Sequence, residues 1–187
     1  MKKKCVLASQ SPRRRELMTY LGLSFSVVPS NVEEILDGNL SIESQIESIA
    51  VQKARPILES NQDRVVIGAD TVVVLDGEIL GKPKTAEKAV EMLRKLSGRT
   101  HEVITGVALL SSENEVIFHN KTFVTFYELS DEEITRYVNT KDPLDKAGAY
   151  SIQGQGGLFV SKIDGDFYSV VGLPISRIYH ELTHNNW

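Results

Sequence analysis

Cysteine is nearly absent from this chain, because Cys5 is the only one among 187 residues. One thiol cannot form an internal disulfide, and there is no cysteine pair for a zinc or redox site. No apolar run approaches the roughly 20 residues of a membrane-spanning helix. The lysines at positions 2–4 are not followed by the apolar segment of a secretory signal, so we interpret them as a solvated tail. We expect a cytoplasmic protein without a membrane partner.

An excess of positive charge is also missing. The chain has 21 Lys and Arg against 25 Asp and Glu, which gives a net charge of −4. Such a balance provides no general electrostatic attraction for nucleic acid, and aromatic residues that could stack on bases make up only 7%. We therefore disfavour an RNA-binding protein and expect no nucleic-acid partner. Any binding of anions must be local.

The sequence contains no internal repeat, low-complexity tract or obvious linker, and its length suits one domain of two lobes spanning residues 1–187. Short apolar runs alternate with amphipathic helical segments, and hairpin-like β segments occupy the middle. This pattern predicts an α/β fold with a mixed, twisted sheet and flanking helices. The predicted strands are 5–8, 25–28, 65–69, 72–75, 78–80, 101–110, 116–129 and 158–163. The predicted helices are 12–20, 41–59, 85–96, 130–139 and 175–182.

The stretch ASQSPRRREL, residues 8–17, places three arginines at the predicted start of a helix. The free N–H groups and the positive end of the dipole make a helix start a site for anions, so arginines are unfavourable there unless a polyanion completes the arrangement. The alternative is that the arginines lie on the solvated face. We favour that alternative for Arg14 and Arg15. For Arg13, next to Pro12, contact with phosphate and solvation both stay open.

The stretch GADTVVVLDGEILGKPKT, residues 68–85, follows a buried apolar run, which Asp70 is predicted to end. An acid at such a place can hold a hydrated divalent cation, accept a proton from water or cap the next turn. The pair Gly81-Lys82 is not a P-loop, because only three residues separate Gly77 from Gly81 and Pro83 follows the lysine. Lys82 is still a candidate point charge for phosphate.

The stretch DPLDKAGAYSIQGQGG, residues 142–157, has four glycines and many small residues. Its backbone can approach a ligand closely. The side-chain amide of Gln153 both donates and accepts hydrogen bonds, which suits the edge of a nucleobase. A solvated glutamine on a surface loop is the alternative.

The segment HELTH, residues 180–184, matches the H-E-x-x-H helix of zinc proteases. Zinc in such a site needs a third protein ligand, commonly well downstream, and only three residues follow in this sequence. We expect incidental metal affinity rather than proteolysis.

Taken together, LASQSPRRREL, GADTVVVLDGEILGKPKT and DKAGAYSIQGQGGLFVSKIDGDFYSVVGLP resemble the Maf family of septum-formation-inhibitor nucleotide pyrophosphatases. The similarity spans nearly the whole chain in order. It implies an elongated α/β fold related to the inosine triphosphate pyrophosphatases, with two lobes around a cleft. It also implies hydrolysis of a nucleoside triphosphate between its α and β phosphates, giving a monophosphate and pyrophosphate. The segment AGAYSIQG is similar to the branch that acts on dTTP and UTP rather than the branch preferring 7-methyl-GTP, and removal of non-standard pyrimidine nucleotides would be a related role.

The resemblance also implies roles for individual residues. The position that matches Asp70 is the proton acceptor, and those that match Arg13, Thr71 and Gln153 shape the choice of base. Further polar positions of the family pattern fall on Ser9, Glu33, Lys53 and Lys82.

The chemistry of triphosphate hydrolysis agrees with these positions, because positioned cations stabilise its transition state. We expect Mg²⁺ or Mn²⁺ as cofactor, held by Glu33 and Asp70. Ser9 and Arg13 would bind the phosphate chain. Charge on the leaving pyrophosphate would be neutralised by Lys53 and Lys82.

A second hypothesis is a non-catalytic, nucleotide-binding regulator of cell division and septum formation, the role that the family name records. Turnover with release of pyrophosphate separates the enzyme from such a sensor. The exposed hairpin strands also make a homodimer reasonable.

Overall fold

The computed structural model describes residues 4–185 and residue 187, so the predicted solvated state of Lys2 and Lys3 lies outside the described residues. The described residues form seven strands, which are β1 Cys5–Leu7, β2 Phe25–Val27, β3 Val65–Leu75, β4 Glu78–Leu80, β5 Thr100–Leu110, β6 Glu115–Phe126 and β7 Val160–Asp164. The α-helices are α1 Pro12–Tyr20, α2 Ile42–Glu59, α3 Ala86–Leu96, α4 Asp131–Asn139, α5 Phe167–Val171 and α6 Ile175–His184. Three short 3₁₀ helices cover Asp142–Asp145, Ala147–Ala149 and Gly154–Phe159.

The strands form one mixed sheet in the order β2-β1-β3-β5-β6-β7, and β4 pairs with β3. β1 is parallel to both β2 and β3, whereas the β3–β4 and β6–β7 pairs are antiparallel. The parallel pairs are joined by the helix-containing connections that parallel strands need, and β3 and β4 are joined by the predicted Asp76-Gly77 turn. A mixed α/β sheet with flanking helices is confirmed.

The chain forms two compact units. The first unit comprises Met1–Asp70, Thr105–Asn120 and Gly172–Trp187, and the second comprises Thr71–Ile104 and Lys121–Val171. The long strands β3, β5 and β6 therefore contribute residues to both units. Each unit has its own apolar core, which includes Val6 and Ala108 in the first and Leu93 and Phe126 in the second. The interpretation of residues 1–187 as a single domain stays a prediction.

Several element boundaries differ from the predictions, and one helix, α5, was not predicted. Residues 65–75 form one strand rather than two, because an extended backbone accommodates the half-buried residues 70–72, of which 70 and 71 are polar, without a break. Asp70 therefore does not end its strand. β6 ends at Phe126 rather than at residue 129, because the N–H of Leu129 turns to the Ser97 hydroxyl at 2.7 Å. β7 begins at Val160 because the two preceding residues belong to a 3₁₀ helix. The five residues of α5 are too few to show helical periodicity in the sequence.

Helix α2 packs unusually close to the backbone of strands β3 and β5. A Cβ atom built on Gly68 would lie 2.2 Å from the carbonyl oxygen of Ala50, and one built on Gly106 would lie 2.6 Å from that of Ile46. Only glycine allows such a close approach of a strand to a helix backbone. The small side chains of Ala50 and Ala54 contribute the helix side of this contact. The two glycines thus fix how α2 lies on the sheet of the first unit.

No helix among the described residues combines the length and the apolar character that crossing a membrane requires.

We predict that Gly68→Ala lowers the free energy of unfolding by about 1–3 kcal/mol, since the new methyl group overlaps the Ala50 carbonyl and forces α2 to move. Urea unfolding of the purified protein measures this change. Gly38→Ala is the matched control, because a Cβ atom there would meet nothing within 4 Å. Equal stability of the two variants would show that α2 is not held at this distance.

Candidate active site

A cluster of opposite charges lies in the first unit, where α2 packs on β3. The ammonium of Lys53 contacts Asp70 Oδ1 at 2.6 Å and Glu34 Oε1 at 2.8 Å. The side chains of Lys53 and Asp70 are only 15% and 17% exposed, whereas Glu34 is 47% exposed. Charges this sheltered from water interact more strongly than a surface ion pair. The cluster therefore fixes the Asp70 carboxylate in one orientation.

The close contact at Gly68 explains why Lys53 meets Asp70. Gly68 and Asp70 lie two residues apart on β3, so their side-chain positions face the same side of the sheet. Ala50 and Lys53 lie three residues apart on α2 and therefore share a face of the helix. Because Ala50 sits directly over Gly68, the next turn of the helix brings the lysine over the aspartate.

Glu34 is brought to the cluster by a side chain of α2. The Gln52 amide accepts a hydrogen bond from the N–H of Ile35 and donates one to its carbonyl oxygen, both at 2.9 Å. This pair of bonds holds the backbone next to Glu34 on the helix. A second attachment of the same irregular segment is the hydrogen bond from Gln10 Nε2 to Asn31 Oδ1, at 2.8 Å. The position of Glu34 thus depends on side chains rather than on regular structure.

Arg14 belongs to this cluster, and its predicted place on the solvated face of α1 is wrong. Its Nε donates to the Gly172 carbonyl at 2.8 Å, and its Nη1 donates to the buried Ser9 hydroxyl at 3.4 Å. Burial lowers the pKa of the Arg14 guanidinium, and the neighbouring Arg13 charge acts in the same direction. The carboxylates of Asp70 and Glu34 oppose both effects and raise this pKa.

The start of α1 is built as predicted around this arginine. Ser11 is the N-cap, its hydroxyl accepting from the Arg14 N–H, and Pro12 opens the helix. The Ser9 hydroxyl also accepts from the Ser11 N–H at 3.2 Å. Arg13 is half-buried, and Arg15 is exposed, as predicted for Arg15. Positive charge is therefore concentrated where the helix start already favours an anion.

Of the predicted site, the first unit thus joins Lys53 to Asp70 and Ser9 to Arg14, and it places Arg13 next to Arg14 on α1. Glu33, the other predicted residue in this unit, is exposed, and its neighbour Glu34 is the acid that contacts Lys53.

The remaining predicted residues belong to the second unit. Thr71 follows Asp70 within β3, Lys82 is exposed after β4, and Gln153 is half-buried before a 3₁₀ helix. Two backbone hydrogen bonds join the segment of Lys82 to the glycine-rich loop of residues 142–157. They run from the Gly148 N–H to the Gly81 carbonyl and from the Lys84 N–H to the Leu144 carbonyl, each at 3.2 Å.

Three residues of the cluster were missed by sequence reasoning, and for one of them a signal existed. Arg14 lies three and four residues before Leu17 and Met18, which are both buried, so helical spacing puts it on the inward face of α1. Glu34 and Gln52 carried no such signal. The exposed segment around Glu34 has no periodicity, and an amide at position 52 looks like any solvated helix residue.

The oxygen atoms of the cluster suit a hard divalent cation. Within residues 4–185 and 187, no group of three or more His, Cys, Asp and Glu side chains could hold a metal ion. Asp70 and Glu34 are nevertheless two carboxylates that share one cationic partner. Mg²⁺ typically takes one or two carboxylates and completes its shell with water and substrate phosphates. The donor set therefore fits a metal that arrives with a phosphorylated ligand.

Comparisons with known proteins point in one direction. A family model described as "Maf-like protein" matches residues 4–185. The dTTP/UTP pyrophosphatase of Bacillus velezensis is 52% identical over 186 residues, covering 100% of this chain and 98% of the relative. That of Bacillus cytotoxicus is 54% identical over 180 residues, covering 96% of this chain and 94% of the relative.

Among solved structures, that of the Staphylococcus aureus Ham1 protein aligns with a TM-score of 0.57 at 17% identity, covering 97% of this chain and 99% of that one. A likeness at this identity concerns the fold alone. It supports the expected relation to the fold of the inosine triphosphate pyrophosphatases.

We predict that Gln52→Leu releases the segment that carries Glu34, because the substituted side chain fills the same space without either hydrogen bond to Ile35. Hydrogen exchange of the Ile35 amide should become about tenfold faster or more, while the amides of α2 keep their protection. Ser48→Ala is the control, since it removes only the 3.2 Å hydrogen bond between the Ser48 hydroxyl and the Gln52 amide. Unchanged exchange at Ile35 in the leucine variant would contradict this role of Gln52.

Proposed function

The chain belongs to the Maf family, and on that premise we propose that it is a nucleoside triphosphate pyrophosphatase acting on dTTP and UTP. Its products are the nucleoside monophosphate and pyrophosphate. The observation that carries this proposal is the sheltered Asp70 carboxylate, held by Lys53 and within electrostatic reach of Arg14 on α1. Relatives that are 52–54% identical over nearly the whole chain and are named dTTP/UTP pyrophosphatase support the same substrates.

The substrate's phosphate chain explains the positive groups of the first unit. A triphosphate carries several negative charges, and its hydrolysis is accelerated mainly by fixed cations around the reacting phosphate. Ser9 and Arg13 bind the phosphate chain at the start of α1, and Arg14 adds a guanidinium that is already held by two hydrogen bonds. Arg13 and Arg14 at a helix start are then favourable, because the polyanion lies between them and the helix dipole, whereas Arg15 stays on the solvated face.

Asp70 acts as the general base in this proposal. Its Oδ1 is held by Lys53 at 2.6 Å, and the second carboxylate oxygen accepts a proton from the attacking water. The water oxygen bonds to the α-phosphorus as the bond from that phosphorus to the bridging oxygen breaks. Pyrophosphate leaves with the electron pair of that bond. Lys53 and Lys82 neutralise the charge that develops on it.

A divalent cation, Mg²⁺ or Mn²⁺, is the proposed cofactor. Asp70 would hold it with Glu33, and Glu34 is a further carboxylate in the same cluster. When bound, the ion supplies charge neutralisation on the phosphate oxygens. The contribution of the protein is to keep the carboxylates of Asp70 and Glu34 close together, and the ammonium of Lys53 does so by contacting both.

The choice of base is assigned to Arg13, Thr71 and Gln153. Gln153 has one donor and one acceptor group on its amide, which match the acceptor and donor edge of a pyrimidine. Its half-buried position next to a 3₁₀ helix supports this role, because a partly sheltered amide has fewer competing waters than a solvated one.

The alternative, a non-catalytic regulator of septum formation, is less well supported. The relatives carry the names of enzymes, and a sensor has no need for a base held as Asp70 is. A cytoplasmic location, a homodimer and the absence of nucleic-acid and membrane partners stay predictions, as does a single domain of two lobes.

We predict that Asp70→Asn keeps the fold and lowers kcat by a factor of about 10² to 10⁴, the usual contribution of a general base. Turnover of UTP with Mg²⁺ measures the loss, and the melting temperature reports the fold. Asp63→Asn, at a side chain that is 85% exposed, is the matched control and should keep full activity. Full activity in Asp70→Asn would remove Asp70 from the role of base.

The same assay, run on a nucleotide panel with Mg²⁺ or Mn²⁺, tests the reaction itself. We expect pyrophosphate as the first product and a preference for dTTP and UTP. Orthophosphate as the first product would move the cleavage to another bond, and a preference for purines would contradict the role of Gln153. One product per site without turnover would favour the regulator.

A further inference from the structure

The hydroxyl of Tyr137, on α4 in the second unit, connects distant points of the glycine-rich loop of residues 142–157. It donates a hydrogen bond to Asp142 Oδ2 at 2.7 Å and accepts one from the N–H of Ser151 at 3.1 Å. A Cβ atom built on Gly156 would lie 2.7 Å from the same hydroxyl. One buried oxygen atom therefore lies against the loop at three points, which are Asp142 at its start, Ser151 before Gln153 and Gly156 after it.

Tyr137 is itself firmly held. Its side chain is 3% exposed, and its ring packs edge-on against Phe159 with 5.1 Å between the ring centroids. It projects from a helix whose start is fixed by a capping box between Ser130 and Glu133. The hydroxyl therefore has a fixed position on a regular helix, whereas the loop of residues 142–157 has no α-helix or strand of its own that could fix its path.

The loop backbone needs such a fixed point, because it contains conformations that few residues adopt. Gly148 and Gly154 have φ angles of 66° and 71°, and Ala149, which is not a glycine, has one of 60°. Glycine adopts such angles readily, but a residue with a Cβ atom such as Ala149 keeps a left-handed conformation only where surrounding contacts impose it. The contacts that hold the loop around Gln153 include the two hydrogen bonds of the Tyr137 hydroxyl.

We propose that Tyr137 is a positioning residue for base recognition, whose hydroxyl sets the path of the loop and with it the direction of the Gln153 amide. Tyr137 does not touch the nucleotide. The inference rests on the proposed function, because it takes Gln153 as the residue that reads the base. It adds a residue of α4 to the determinants of specificity.

Tyr150 provides a matched comparison. Its hydroxyl is also buried and hydrogen-bonded, but to the side chain of His101, at 2.8 Å, rather than to the loop backbone. Its ring packs edge-on against Phe126 in the core of the second unit. Tyr150 belongs to the loop itself, so Tyr150→Phe removes a buried tyrosine hydroxyl, with its bond to His101 of β5, from the same loop and leaves both bonds of Tyr137 in place.

The test compares Tyr137→Phe with Tyr150→Phe. Loss of two hydrogen bonds to the loop should raise KM for UTP about tenfold in Tyr137→Phe and leave kcat within about threefold. The ratio of kcat/KM for UTP over GTP should fall about tenfold as well. Tyr150→Phe should lower the melting temperature about as much as Tyr137→Phe does. It should keep both the KM for UTP and the ratio of kcat/KM for UTP over GTP.

The outcomes separate the inference from the proposed function. The positioning role would be overturned by an unchanged KM and selectivity in Tyr137→Phe, or by equal changes in the two variants. In either case, pyrophosphate release by the unsubstituted enzyme would still support the proposed function. Absence of pyrophosphate release from the unsubstituted enzyme would overturn the proposed function. If Tyr137→Phe does not fold, Asp142→Asn decides, because it weakens the Asp142 bond of Tyr137 and keeps the Ser151 bond, although it also removes the ion pair of Asp142 with Lys146 at 3.3 Å. A smaller fall in the UTP over GTP ratio supports the proposal, and an unchanged ratio overturns it.

Discussion

The site of this protein depends on one ammonium group placed between two carboxylates. The carboxylates of Asp70 and Glu34 carry like charges and would repel each other. The positive charge of Lys53, which both of them contact, makes their approach favourable. Removing one partner of a sheltered ion pair leaves an uncompensated charge, so the three side chains form a unit. The close contact of Gly68 with Ala50 gives this unit its geometry, because it fixes the helix on the strand.

The sheet and most helices follow from features that a sequence displays directly. Four helices begin with a hydroxyl N-cap that accepts a backbone hydrogen bond from the first turn, at Ser11, Ser41, Thr85 and Ser130. Apolar runs predicted the strands, although their ends shifted where a neighbouring segment took over a hydrogen bond, as Ser97 does for residue 129. Boundaries of this kind depend on contacts between distant segments, which periodicity does not encode.

The candidate site was predictable only in part, and the reason is physical. The position of Asp70 after a buried apolar run pointed to the site, but its partner Lys53 is 17 residues earlier and meets it only because a glycine lets the helix approach. Arg14 could have been assigned from its spacing to buried residues. Glu34 could not, since an exposed, aperiodic segment is positioned there by the side chain of Gln52.

The coupling of Lys53 to Asp70 in catalysis is the central claim, and a double-mutant cycle tests it most directly. The cycle compares kcat/KM for UTP in Lys53→Met, Asp70→Asn and the double variant. If the ammonium acts mainly by holding the base, the double variant should lose less than the product of the two single losses, because without Asp70 the lysine has only its contact with the leaving pyrophosphate left to lose. Losses that multiply in the double variant would show that the two residues act independently, and would contradict the account.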